Sequence, residues 1–83
     1  MVAIMFYYTY VLKSHIDKEI YIGWTDDLKH RISKHNRGLV EATKNRRPLE
    51  LIYYEACLTK EKAILREKQL KSGYGRAYLK RRL

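Results

Sequence analysis

The sequence predicts an α+β domain, a small three-stranded antiparallel sheet flanked by helices in the order β-β-α-β-α-α. Three observations lead there. Two runs rich in β-branched and aromatic residues lie either side of a connection of hairpin length. A third such run follows, between stretches whose apolar residues recur at helical spacing. Capping residues and glycine stops mark the joins. Short antiparallel strands covered by helices make an α+β layer fold. The 83 residues form one domain, 1–83, with a modest core that must be filled by packing, and eight tyrosines are available to fill it.

Residues 4–13 carry the strand-forming types of the first strand, and the apolar end Met1–Phe6 is read into it. That end has no basic n-region, so it is not read as a signal peptide. On a period of two, Tyr8, Tyr10 and Leu12 share one face, and Tyr7, Thr9 and Val11 the other. Ser14–Lys18 connects to a second strand, Glu19–Trp24. Thr25 or Asp26 caps the first helix, and Asp27 is favourable near its positive end. This helix runs to about Gly38, with Leu28, Ile32, His35 and Leu39 on one side. A polar loop, 40–47, leads through Pro48 into the third strand, Leu49–Cys57. Thr59 caps a second helix, Lys60 to about Lys71. Gly73 and Gly75 bracket a break before a short basic last helix, Arg76–Leu83.

Charge narrows the partners. Residues 1–59 carry nine Lys/Arg against seven Asp/Glu, a net of +2, while residues 60–83 carry nine against two, a net of +7. Such an excess at one end suits a polyanion; its plain alternative is a solvated basic helix. No run approaches the roughly 18 apolar residues of a membrane span, so no membrane partner is expected. The single cysteine, Cys57, excludes an intrachain disulfide and fits a reducing compartment; the expected location is the cytoplasm. No Cys/His cluster has structural-zinc spacing. Cys57 is read as a small buried hydrophobe, and His15 and His30 as surface residues.

Two polar residues sit where the helical pattern asks for apolar ones. At about 100° per residue, Glu67 falls between Ala63 and Ile64 on the apolar stripe of the second helix. A buried carboxylate needs a partner, either an arginine in an internal salt bridge or a bound cation. His35 poses the same question on the first helix, with Arg31 one turn before it. The pair is either a satisfied core histidine beside an exposed arginine, or a polar site against the sheet.

The order of these pieces resembles the GIY-YIG nuclease domain over nearly the whole chain. The second half-motif is literal, Tyr21-Ile22-Gly23; the first is Tyr8-Thr9-Tyr10, with Tyr8 in place of the first glycine. Tyr10 and Tyr21 are eleven apart, Arg31 follows Tyr21 by ten, and His35 comes one turn later. Glu67 matches the acidic metal ligand. The segments Tyr21–Leu28 and Arg46–Leu51 are similar to the short stand-alone members, which resemble the nuclease part of the excision-repair C subunit. Trp24 stands three after Tyr21, where some branches have a lysine.

The resemblance implies a metal-dependent endonuclease cutting phosphodiester bonds, in structured or single-stranded-containing DNA rather than RNA. Glu67 would hold Mg2+, or Mn2+ in its place. Arg31 would clamp the phosphate oxygens, and Tyr21 would hydrogen-bond phosphate or water. Tyr10 would position or deprotonate the attacking water, which needs its pKa lowered by Arg31, the metal or His35. Gly23 would let backbone approach the nucleic acid closely. Lys44, Arg46, Arg47, Lys71, Arg76 and Lys80, with Arg81 and Arg82, are candidate backbone contacts. Tyr7, Tyr8, Tyr53 and Tyr54 are assigned to packing; Tyr74 and Tyr78 either stack on bases or pin the last helix. The rival readings are a non-cleaving nucleic-acid-binding module of the same fold and a protein-interaction domain. A protein partner could supply substrate targeting. Repair, recombination and mobile-element defence all fit, and the oligomeric state stays open.

Overall fold

The computed structural model describes residues 4–83. Its elements are β1 (Tyr7–Ser14), β2 (Ile20–Thr25), α1 (Leu28–Asn36), β3 (Leu49–Cys57), α2 (Lys60–Lys71) and α3 (Gly73–Lys80). The strands form one antiparallel sheet in the order β2-β1-β3. The expected α+β order therefore holds. Among the described residues, no helix is long and apolar enough to cross a membrane.

β1 takes the centre because both of its faces are apolar enough to be covered. Thr9, Tyr10, Val11 and Leu12 are completely buried. Alternation sends Val11 towards Ile22, Leu70 of α2 and Leu79 of α3. Tyr10 and Leu12 face the other way, with Leu49, Tyr21, and Leu28 and Ile32 of α1. Two helices thus cover one face and one helix the other. Burying Val11 or Leu12 contributes about 2 kcal/mol each. The β1–β3 register slips between Val11 and Leu12, with Ile52 as the extra residue.

Several expected boundaries move, each for a local reason. Met1–Ala3 lie outside the described residues, and Ile4–Phe6 are exposed and precede the strand. The cap of α1 is Asp27, not Thr25 or Asp26; its carboxylate accepts from the His30 N–H at 3.0 Å. Thr25 Oγ1 instead accepts from the Asp27 N–H. α1 ends before Gly38, which has φ +76°. Gly38 N–H donates to His35 O and Leu39 N–H to Lys34 O, the paired bonds of a left-handed helix stop. The turn sends Leu39 out to solvent, so it does not belong to the apolar stripe, and tucks Val40 inside.

The last helix starts earlier than its glycines suggested. Ser72 caps it, accepting from the Gly75 N–H at 3.2 Å, so Gly73 and Gly75 lie inside α3. A Cβ on Gly75 would collide with the backbone of Gln69 and Leu70. The glycine lets α3 turn back against the end of α2. Tyr78 then pins α3: its ring lies 4.7 Å from the Arg66 guanidinium and 3.6 Å from that of Arg82. Arg66 grips Glu55 of β3 with two bonds, 2.9 and 3.0 Å, and Tyr53 donates to the same carboxylate. Cys57 is half-buried rather than buried. Tyr54 is half-exposed and meets Tyr8 edge-on, so it is not a packing residue of the core.

Candidate active site

Tyr10 reaches the site because Gly23 has no side chain. The two residues are register partners on β1 and β2, and a Cβ on Gly23 would lie 2.6 Å from the Tyr10 hydroxyl oxygen. The glycine is buried beneath that phenol. Its immediate role is to admit Tyr10.

The phenol is held from two positions on α1, one turn apart. Arg31 Nε donates to Tyr10 Oη at 3.3 Å, and His35 Nε2 lies 2.8 Å from the same oxygen. Tyr21 stacks edge-on against His35, with ring centroids 5.1 Å apart, and lies 6.4 Å from the Tyr10 ring. His35 is fully buried, and its Nδ1 lies 2.7 Å from Thr43 Oγ1. Thr43 comes from the loop after α1 and is itself fully buried. No helical or strand pattern pointed to it; its one trace in the sequence is a threonine eight residues after a misplaced histidine.

Electrostatics sets the direction of these bonds. Burial, and secondarily the Arg31 charge, push His35 down to about 4, so its ring is neutral near pH 7. Burial pushes the Tyr10 phenol up; Arg31 opposes this, while Tyr21 and Glu67 add to it. Tyr10 is therefore a neutral phenol, the reverse of the lowering expected. With Arg31 donating to the phenol oxygen and the ring neutral, we assign the phenol proton to His35 Nε2. That leaves His35 Nδ1–H to donate to Thr43 Oγ1.

Glu67 arrives from α2, in the opposite helix layer, and its charge acts on the Tyr10 phenol. Its side chain is 18% exposed, and its ion pair with Lys71, one turn on, is a long 3.6 Å. Among the described residues no hydrogen bond reaches this carboxylate, and no arginine pairs with it. A mostly covered carboxylate so loosely held suits a hard cation that keeps waters and shares phosphate oxygens. No group of three or more His, Cys, Asp or Glu gathers around a metal position among the described residues. Any ion here would rest on Glu67, water and substrate.

The profile of the GIY-YIG catalytic domain matches residues 6–81. The chain belongs to the GIY-YIG family. It is 39% identical over 67 residues to the UPF0213 protein SERP0126 of Staphylococcus epidermidis, covering 80% of each chain. It is 42% identical to a UPF0213 protein of Bacillus pumilus, covering 80% of this chain and 67% of that one. The solution NMR structure of the UPF0213 protein BH0048 from Bacillus halodurans is similar, with a TM-score of 0.55 and 33% identity over 90% of this chain and 82% of that one. This is thus a short GIY-YIG chain of the UPF0213 group.

Within this GIY-YIG domain the candidate cations divide. Lys71 and Arg76 line a recess of about 310 Å³ with Ile20, Tyr21 and Ile22 along the free edge of β2. Arg31 lines a second, of about 300 Å³, with Trp24, Thr25 and Asp26. The loop cations lie at neither. Lys44 pairs with Glu41 at 3.1 Å, and Arg47 Nε donates to the Lys44 carbonyl at 2.8 Å. Arg46 binds both oxygens of Asp17, which holds that carboxyl down at about 2. Lys80, Arg81 and Arg82 are exposed on or beyond α3, with Arg82 turned onto Tyr78. Tyr74 is left exposed on α3.

Proposed function

We propose that this GIY-YIG domain is a divalent-metal-dependent endonuclease that hydrolyses phosphodiester bonds in DNA containing branched or single-stranded regions. The observation that carries the reading is the Tyr10 phenol held between Arg31 and His35, with the Glu67 carboxylate in electrostatic reach. A phosphodiester on Arg31 meets donors aimed at its non-bridging oxygens. A water beside Tyr10 passes a proton to the phenol oxygen as the phenol's own proton moves to His35 Nε2. The water oxygen forms the new bond to phosphorus, the ester bond to the leaving oxygen breaks, and that oxygen takes a proton from solvent. Phosphate bound to Arg31 offsets the positive field that depresses His35, so the ring becomes a better acceptor when substrate is present. Mg2+ or Mn2+ on Glu67, when bound, would supply charge relief at the phosphate. Lys71 and Arg76 would carry the backbone along the edge of β2. The free thiol of Cys57 suits a reducing, cytoplasmic setting.

The non-cleaving reading draws on one observation, the upward push on Tyr10. A cleavage assay separates the two. Purified protein is incubated with branched, flapped and plain duplex DNA, with and without Mg2+ or Mn2+, beside Glu67→Gln and Arg31→Ala. Metal-dependent nicking by the parent and none by either variant is expected. Equal nicking by the parent and Glu67→Gln sinks the assignment; binding without nicking establishes the non-cleaving module.

A further inference from the structure

We infer that Trp24 is a stacking platform for an unpaired nucleobase next to the phosphate held by Arg31, so that this site selects single-stranded or flapped substrate. The inference rests on the phosphodiesterase reading above. Trp24 is the one tryptophan of the chain and sits on the free edge strand, half-buried. Its register partner Thr9 is fully buried and bonded to the Ala63 carbonyl, so the strand beneath the indole is firmly held. Trp24 and Arg31 line the same recess of about 300 Å³ at the edge of β2, Arg31 from the α1 side and Trp24 with its indole on the α2 side under Lys60, with Asp26 exposed at its rim. Arg31 Nε touches the fully buried Tyr10 phenol, so one guanidinium serves both the recess and the phenol–imidazole pair beneath it. A phosphate on Arg31 would carry its attached nucleoside across the β2 edge towards Trp24.

The chemistry of the surroundings suits a base. The Lys60 ammonium lies 5.3 Å from the indole centroid, a cation over an aromatic face. Lys60 is exposed, and this long contact is readily exchanged for a stacked base, which frees the ammonium for the neighbouring phosphate. Every base offers a π-face, so the platform is tolerant of sequence. A base inside a duplex is stacked on its neighbours and cannot enter the recess without being unpaired. The selection is therefore for unpaired nucleotides rather than for a sequence.

A single tryptophan makes the test direct. The Glu67→Gln protein, expected to leave DNA intact and kept in chelator, is titrated with a dye-labelled single strand, as DNA and as RNA separately, and with a duplex of the same length. Indole emission and dye anisotropy are followed together. Saturable quenching by a single strand, in step with anisotropy and absent for the duplex, is expected. Trp24→Leu should lose about ten-fold in single-strand affinity, and Trp24→Phe should keep most of it. If anisotropy reports single-strand binding while emission stays unmoved, the platform is disproved and the nuclease reading stands on its cleavage assay. If no nucleic acid binds and the parent cuts none, both fall together. Should Trp24→Leu fail to fold, the emission titration decides alone.

Discussion

Tyr10, His35 and Thr43 form a chain of three buried side chains with one consistent set of proton positions. With Arg31 donating to the phenol oxygen, the assigned tautomer has Tyr10 donating to His35, and His35 to Thr43. Thr43→Val keeps the shape of the side chain and removes the acceptor. The buried Nδ1–H is then unpaired, at a cost of about 1–3 kcal/mol in unfolding free energy. Denaturant titration measures this, and Thr43→Ser should recover most of it. The ring also loses the bond that fixes its tautomer, so cleavage by Thr43→Val should fall further than a matched loss of stability accounts for. Nitrogen chemical shifts of His35 in the two variants report the tautomer itself. Tyr10 and Gly23 were legible as a motif, but the reason for the glycine was not. It lies in one phenol crossing to the next strand, which no spacing rule encodes.

At the scale of elements, α3 shows what a glycine pair can mean. Read along the chain, Gly73 and Gly75 interrupt a helical pattern. In space they open a new helix capped by Ser72, and Gly75 lets two helix ends meet backbone to backbone. Gly75→Ala should therefore cost about 1–3 kcal/mol by overpacking, although alanine is the better helix former. In a domain of this size that is a fall of several degrees in melting temperature, readable by far-UV circular dichroism. An unchanged or raised melting temperature would show that α3 shifts freely on α2. The strands were easier to read than this helix, because alternation along β1 reports directly which side chains enter which layer. The end of α1 was legible to within a turn for the same local reason, the left-handed Gly38.

For the whole molecule, pH is a probe of how His35 is buried. Its pKa is near 4 in the folded protein against an ordinary 6.5. Between those values the unfolded chain binds a proton that the folded one refuses, so stability rises with pH through that window. The contribution is fully present above pH 6.5 and is lost as pH falls towards 4, amounting to at most about 3 kcal/mol. Asp17, held at about 2 by Arg46, loses its smaller, solvent-screened contribution only below its ordinary value of 3.8. The two windows do not overlap. Urea unfolding at pH 4.5, 5.5 and 7 should show a rise that His35→Gln largely removes. A parent profile as flat as the variant's would mean that the ring is hydrated and the relay is open to water. The charge pattern also has to be reread at this scale. The +9 of the chain is not one surface, because Arg46 and Lys44 are tied to carboxylates away from the sheet edge, while Lys71, in its long pair with Glu67, and Arg76 border the edge of β2.

Legible along the chain were the order of the elements, the Thr59 cap of α2 and the four side-chain types gathered in the candidate site. These follow from local periodicity and local hydrogen bonding, which act over a few residues and so leave their mark along the chain. Only the packing of distant segments decided that the Glu67 charge acts on Tyr10 from the opposite layer, that Thr43 holds His35, and that Trp24 shares a recess with Arg31. Those relations depend on which faces meet when distant segments pack around the edge of β2, and residues brought together that way carry no common period.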